Sequence, residues 1–195
     1  MARREGINLD GREKIQRIMD RKPYPPGMHG QDRRPRLTDY GKQLREKQRA
    51  KLVFGVNERQ FRNYFEKAKK KRGDTAQYLI QLLESRLDNV VYKVGFAKTR
   101  AAARQLVSHS NFDLNGQKSN VPSIQVVPGD VIKVRDNKKD NKYWLNWREN
   151  VTKANSPFWI GVDPGNLSIK ILSLPAGEEL KQQFDPRLIV EFYSR

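Results

Sequence analysis

Apolar side chains along this chain fall into sharply different patterns, and the clearest runs from Thr75 to Gly95. Leu79, Leu82, Leu83, Leu87, Val90, Val91 and Val94 recur at steps of three and four residues, which predicts one long amphipathic helix stopped at Gly95. These positions read as structural, a spine shared by two packing units. Before the spine, Asn57 is placed to cap a helix in which Phe61, Phe65 and Ala68 share one face, with Gly73 as its stop. An earlier helix opens at Thr38 or Asp39, has only Leu44 and Leu52 as a sparse apolar face, and ends at Gly55. Residues 1–41 show no sustained period. Pro23, Pro25, Pro26, Gly27, Gly30 and Pro35 predict an extended arm with one helix near residues 11–20, ordered by binding rather than by its own core.

Beyond Gly95 the period changes. Thr99 caps a predicted helix Arg100–Ser108, in which Ala102, Ala103, Leu106 and Val107 cover the inner arc. Arg100, Arg104 and Ser108 lie in a row on its outer edge. Phe112, Asp113 and Leu114 then read as a strand. Asn115-Gly116 demands a type I′ hairpin, and Pro128-Gly129 turns the chain into a further strand, Val131–Val134. A short helix is expected around Trp144 and Trp147. Apolar patches at 158–162, 167–174 and 188–193, separated by prolines, are expected to be short strands.

Charge changes this picture from a fold to a surface. The chain carries 39 Lys+Arg against 22 Asp+Glu, a formal net charge of +17, with 36% hydrophobic residues. The excess is uneven: +13 over residues 1–72, +5 over 85–135 and +1 over 136–195. Positive charge on this scale points to a polyanion, because neutralised phosphates release condensed counterions. No apolar window is long enough to span a bilayer, and there is no signal-like apolar core near Met1, so no membrane role is expected.

Catalytic chemistry is poorly supplied. There are no cysteines and only two histidines, His29 and His109, so thiolate chemistry is absent and neither a metal nor another cofactor is expected. No GxxxxGK[ST] or GxGxxG loop is present, and no small-molecule substrate or catalytic residue is assigned. Glu84 and Asp88, beside Arg86, read as partners in structural ion pairs.

Basic residues on predicted helices are the candidate contacts. In the first helices these are Arg45, Lys47, Arg49, Lys51, Arg59, Arg62, Lys69, Lys70 and Arg72. In the second basic region they are Lys98, Thr99, Arg100, Arg104, Ser108, His109 and Lys118. Arginine offers a planar fork to phosphate and lysine a mobile point charge. The helix N-termini at Thr75 and Thr99 add backbone donors. The run Lys69–Arg72 also reads as a solvated helix end. Few aromatics fall outside apolar faces, which favours folded RNA recognised by backbone and shape over single strands. Charge alone does not separate RNA from DNA.

The predicted fold class is α+β: a basic N-terminal arm and α-helices, then an antiparallel sheet with helices on one face.

Residues 85–135 resemble the RNA-binding module named after small ribosomal subunit protein four. RPRLTDYGKQLREKQ (34–48), NERQFRNYFEKA (57–68), LLESRLDNVVYKVGF (82–96), TRAAARQLVSH (99–109) and IVEFYSR (189–195) together resemble the bacterial form of that ribosomal family, in order over nearly the whole chain. The resemblance implies a structural component of the small subunit. Its fold would be an α-helical domain with a basic N-terminal arm and an inserted RNA-binding module: the arm at 1–41, a helical domain at 42–84 with a C-terminal return at 181–195, and the module with its β-rich extension at 85–180, core 85–135. Such proteins bind 16S-type rRNA at a multi-helix junction in the five-prime domain and nucleate assembly. It also implies contact with small-subunit protein five, a place where mRNA enters the subunit, lined by Arg33, Arg34 and Arg36, a terminal strand returning near the first domain, and a cytoplasmic ribosome, with an organelle matrix or stroma left open. Many relatives carry a Cys-based zinc site near the N-terminus. Ala2 stands where one ligand would fall, and the amino terminus is shorter by about ten residues, so that metal is not carried over. Two other readings stand beside this one: an RNA-modifying enzyme with an appended module, which lacks its catalytic domain here, and a free regulatory binder of an mRNA that mimics the rRNA site.

Overall fold

The structure is a computed structural model and describes residues 2–8, 12–31, 37–150 and 156–195, with the backbone alone at 149 and 150. It divides into two compact units, residues 1–80 with 181–195, and residues 81–180.

The first unit is helical. Two short helices, α1 (Ala2–Glu5) and α2 (Glu13–Arg21), occupy the arm. Then come α3 (Asp39–Phe54) and α4 (Glu58–Lys69), and the unit closes with α9 (Pro186–Tyr193). The caps fall where the side chains can make them: Thr38 Oγ1 accepts from Gly41 N at 3.1 Å, and Asn57 Oδ1 from Gln60 N at 2.8 Å. Gly55, at φ 60°, ends α3 in the left-handed conformation that a side chain would strain. Phe61, Tyr64, Phe65 and Ala68 form the buried face of α4.

Two expectations are corrected in this unit. The buried face of α3 is Gln43, Lys47, Ala50, Val53 and Phe54, whereas Leu52 is exposed. Polar residues are buried there because α9 covers them: the Lys47 ammonium lies 4.4 Å from the centre of the Phe192 ring, and Gln43 Nε2 donates to Glu191 at 2.8 Å. The apolar patch at 188–193 is this helix and not a strand. Asp185 caps it by accepting from Arg187 N at 2.8 Å, and Pro186 occupies the first turn, where a missing N–H costs nothing.

Glu58 ties the unit together. Its carboxylate accepts from Lys47 at 3.1 Å, Lys51 at 2.7 Å and Tyr193 Oη at 2.6 Å, joining α3, α4 and α9. The Tyr193 ring stacks on Phe65 at 4.8 Å.

The second unit contains α6 (Leu87–Lys93), α7 (Arg100–Ser108), α8 (Lys142–Asn150) and one antiparallel sheet. Its strands are β1 (Phe112–Leu114), β2 (Gln117–Ser119), β3 (Val131–Val134), β4 (Ile160–Asp163) and β5 (Ser168–Ile171), in the order β2-β1-β3-β5-β4. Asn115 (φ 51°) and Gly116 (φ 80°) both take the positive φ that the I′ hairpin requires. Strand β5 pairs with β3, opposing Ile169 to Ile132, so residues beyond 135 complete the sheet. Phe96, Phe112, Val107, Ile132, Ile169 and Trp144 belong to one core. The α8 rings close over the turn after α6. Trp147 Nε1 donates to Gly95 O at 2.8 Å, Tyr143 Oη donates to Phe96 O, and Phe96 meets Trp144 and Trp147 edge-on at 5.3 and 4.6 Å.

The predicted spine is not one helix. It is α5 (Thr75–Glu84), within which the boundary between the units falls, followed by α6. Between them the chain is extended at Arg86 (φ −70°, ψ 140°), which forms a bridge with Gln125. Leu87 N donates to Ile124 O and Val126 N to Ser85 O, both at 2.9 Å. Sheet-like pairing with a distant segment overrides the local helical period.

The Glu58 network predicts a pH signature. Burial alone would raise this carboxyl, but hydrogen bonds from Lys51, Tyr193 and Lys47 outweigh it and lower the pKa from 4.5 to about 2. Because the folded value lies below the unfolded one, the contribution is complete above pH 4.5 and is lost as pH falls toward 2. Urea denaturation of Glu58→Gln is therefore expected to depend less steeply on pH across that window than the parent. Equal slopes would remove this network from the stability of the unit.

Candidate nucleic-acid interface

The basic residues of the first unit divide by element. On α3, Lys47 is buried against α9 and engaged by Glu58, so its place is in the packing and the expected outward contact is corrected. Lys51 also engages Glu58, and Arg49 pairs with Glu5 at 3.1 Å and with Glu46, while Arg45 is half-buried. On α4 the arrangement reverses. Arg59, Arg62 and Lys69 are exposed at spacings of three and seven, which is one helix face, and Lys70 and Arg72 are exposed just beyond it. Lys67 and Lys71 extend the same solvated end, with Lys71 Nζ 5.1 Å from the centre of the Tyr78 ring. Thus Lys47, Arg49 and Lys51 of α3 fasten the unit, and the α4 cations face outward.

In the second unit the candidate edge belongs to α7. Thr99 Oγ1 accepts from Ala102 N at 3.2 Å and starts the helix, and Ala103 and Val107 anchor it in the core. Lys98 is exposed just before the cap, and Ser108 and His109 are exposed at the far end. Arg100 and Arg104, one turn apart, are half-buried, and the expectation of a wholly outer row is corrected at these two. Each is met by the start of α6: Arg104 Nη2 lies 2.7 Å from Asp88, and Arg100 Nε donates to Asn89 Oδ1 at 2.9 Å. Lys118 is exposed on a different element, β2.

The acidic residues near the edge separate as well. Asp88 pairs with Arg86 at 2.8 Å, whereas Glu84, across the break, lies 3.6 Å from Lys93. One N-terminal donor of α5 is claimed internally, since Asp74 Oδ1 accepts from Ala76 N at 2.9 Å; of the two helix starts singled out, Thr99 is the one without a carboxylate cap. Arg33, Arg34 and Arg36 lie outside the described residues. Among the described residues no group of three or more His, Asp or Glu is placed to hold a metal, and no helix is long and apolar enough to cross a membrane.

Comparison with known proteins fits this arrangement. Residues 1–84 match the profile of the ribosomal protein S4/S9 N-terminal domain, and residues 85–132 match the S4 domain. These define the class, a ribosomal protein with an S4 RNA-binding domain and no enzymatic role. Over the whole chain, the small ribosomal subunit protein uS4 of Roseiflexus castenholzii is 47% identical, covering all of this chain and 95% of the relative. The uS4 proteins of Chlorobium limicola (43%) and Chloroflexus aurantiacus (46%) match with the same coverage. The chain belongs to the uS4 family of small ribosomal subunit proteins.

Removing the Thr99 cap by Thr99→Ala should lower unfolding stability by about 1 kcal/mol, read by chemical denaturation. A loss within error would mean that core contacts alone hold the α7 start.

Proposed function

We propose that this chain is a structural constituent of the small ribosomal subunit that binds 16S-type rRNA where several RNA helices meet in the five-prime domain. The reading extends to nucleation of assembly there, in a cytoplasmic ribosome. The observation that carries it is the α7 edge, where Arg100 and Arg104 project one turn apart from a helix capped at Thr99 and anchored in the core. Two guanidinium forks at that separation can each take a phosphate oxygen of a folded RNA backbone. Lys98, Ser108, His109 and Lys118 are the further contacts proposed on this unit. On the helical unit they are Arg59, Arg62, Lys69, Lys70 and Arg72, with Arg45 on α3; Arg49 and Lys51 are taken up by Glu5, Glu46 and Glu58.

Two finer parts rest on the family resemblance. One is contact with small-subunit protein five. The other is the lining of the region where mRNA enters, by Arg33, Arg34 and Arg36. Neither reaction chemistry nor a cofactor is part of the proposal.

Sedimentation of a tagged copy through a sucrose gradient tests the main reading. Co-migration with small subunits that survives a high-salt wash is the expected result. A position at the top of the gradient, or release by modest salt, would make the chain a free RNA binder. With a five-prime-domain rRNA transcript, Arg104→Ala should weaken binding and reduce the slope of log affinity against log salt by about one.

A further inference from the structure

The α7 arginines are held by an acid, an amide and a ring, all presented by α6. The Asp88 side chain is 5% exposed and accepts four guanidinium N–H bonds. Arg86 supplies Nε to Oδ1 at 3.0 Å and Nη2 to Oδ2 at 2.8 Å. Arg104 supplies Nε and Nη2 to Oδ2 at 2.9 and 2.7 Å. Arg86 is 2% exposed at its side chain, whereas Arg104 is 34% exposed, so Asp88 joins a core cation to a surface one.

One turn earlier on α7, Arg100 is held in a similar way. Its Nε bonds to Asn89 Oδ1 at 2.9 Å, and its guanidinium lies 4.6 Å from the centre of the Tyr92 ring. Asn89 is buried and its orientation is fixed by its other end, because Nδ2 donates to Glu84 O at 3.0 Å and to Glu84 Oε2 at 2.6 Å. With the amide nitrogen aimed at two acceptors, the amide oxygen must face Arg100.

We infer that Asp88, Asn89 and Tyr92 are positioning residues for RNA: they set the direction in which Arg104 and Arg100 meet phosphates. The inference rests on the reading that the α7 edge faces rRNA. A carboxylate near an RNA surface would ordinarily repel it. Here the second cation, Arg86, offsets that field: Asp88 with its two arginines carries a net +1, and the more exposed of the two is Arg104. A guanidinium held on two nitrogens has already lost much of its rotamer freedom, so an RNA phosphate meets a prepared donor rather than ordering a mobile one. The Asp88-Asn89 pair does this from adjacent positions because the first turn of α6 lies across from successive turns of α7.

The test is a pair of double-mutant cycles on the full chain, read as affinity and salt slope with a five-prime-domain rRNA transcript. Thermal unfolding of each variant is followed in parallel. Arg104→Ala is expected to weaken binding about tenfold. Asp88→Asn should weaken it comparably, and the double variant should bind no worse than Arg104→Ala, because Asp88 acts through that arginine. Should Asp88→Asn fail to fold with Arg86 unmatched, the decisive cycle is Tyr92→Leu with Arg100→Ala, for which the same non-additivity is expected. A positioning residue whose effect persists undiminished after its arginine is removed overturns the inference. No change in affinity or slope on Arg104→Ala and Arg100→Ala would instead overturn the RNA-facing reading, and the inference with it.

Discussion

A guanidinium taken out of water must be matched, and the matching of Arg86 governs much of the second unit. With its side chain 2% exposed, Arg86 finds the Asp88 carboxylate two residues away. That geometry is available because the backbone between α5 and α6 is extended and pairs with residues 122–126, Asp88 N donating to Pro122 O at 3.2 Å. Stripping one partner from a buried ion pair costs about 3–5 kcal/mol. The helix-propensity differences that would favour continuing the spine through Ser85 and Arg86 amount to about 0.7 kcal/mol or less per residue. The larger quantity wins, and α6 restarts at Leu87. Its first turn therefore carries Asp88, where a carboxylate suits the helix N-terminus, and presents Asn89 beside it to α7.

The helical unit solves a similar problem with opposite signs. Glu58 is the acid that several donors share, and Lys47 lies buried beneath the α9 rings with its ammonium on that carboxylate. Lys47, Lys51 and Arg49 of α3 thus act as fasteners between helices. The cations on α4, whose apolar face is filled by Phe61, Tyr64, Phe65 and Ala68, are left on the solvent side. A net charge of +13 over residues 1–72 gives the sign of the partner, but the supply of nearby carboxylates decides which cations remain for it.

What was legible in the sequence follows the range of the interactions concerned. Caps at Thr38, Asn57 and Thr99, the α4 face and the Asn115-Gly116 hairpin depend on neighbours within a few residues, and all form as their side chains dictate. The break at Arg86 depends on a segment some forty residues downstream, so periodicity through Leu83, Leu87 and Val90 concealed it. Residues 188–193 carry the β-prone run Leu-Ile-Val, but Asp185 and Pro186 supply a helix start, and packing on α3 selects the helix. At the candidate interface, the α7 arginines were legible from spacing. Their supports were not, because the unbroken apolar period puts Asp88 and Asn89 in the middle of a helix, whereas the break places them in a first turn.

The two outward basic groups differ in a way that bears on how such a protein could fix RNA geometry. Lysines at the end of α4 are mobile point charges, and their attraction to a polyanion is long-ranged but weakly directional. Arg100 and Arg104 are held against α6 by a ring, an amide and a carboxylate, so their directions are set before any ligand arrives. On the proposed reading the first group draws RNA in and the second determines its orientation. Orientation also requires the arginine supports to be rigid, and the fold supplies this: Trp144 and Trp147 close on Phe96 in the turn that joins α6 to α7, and both helices plant apolar residues in the same core, Leu87, Val90 and Val91 from one and Ala103 and Val107 from the other. A mobile α6 would leave the same arginines with charge but no direction.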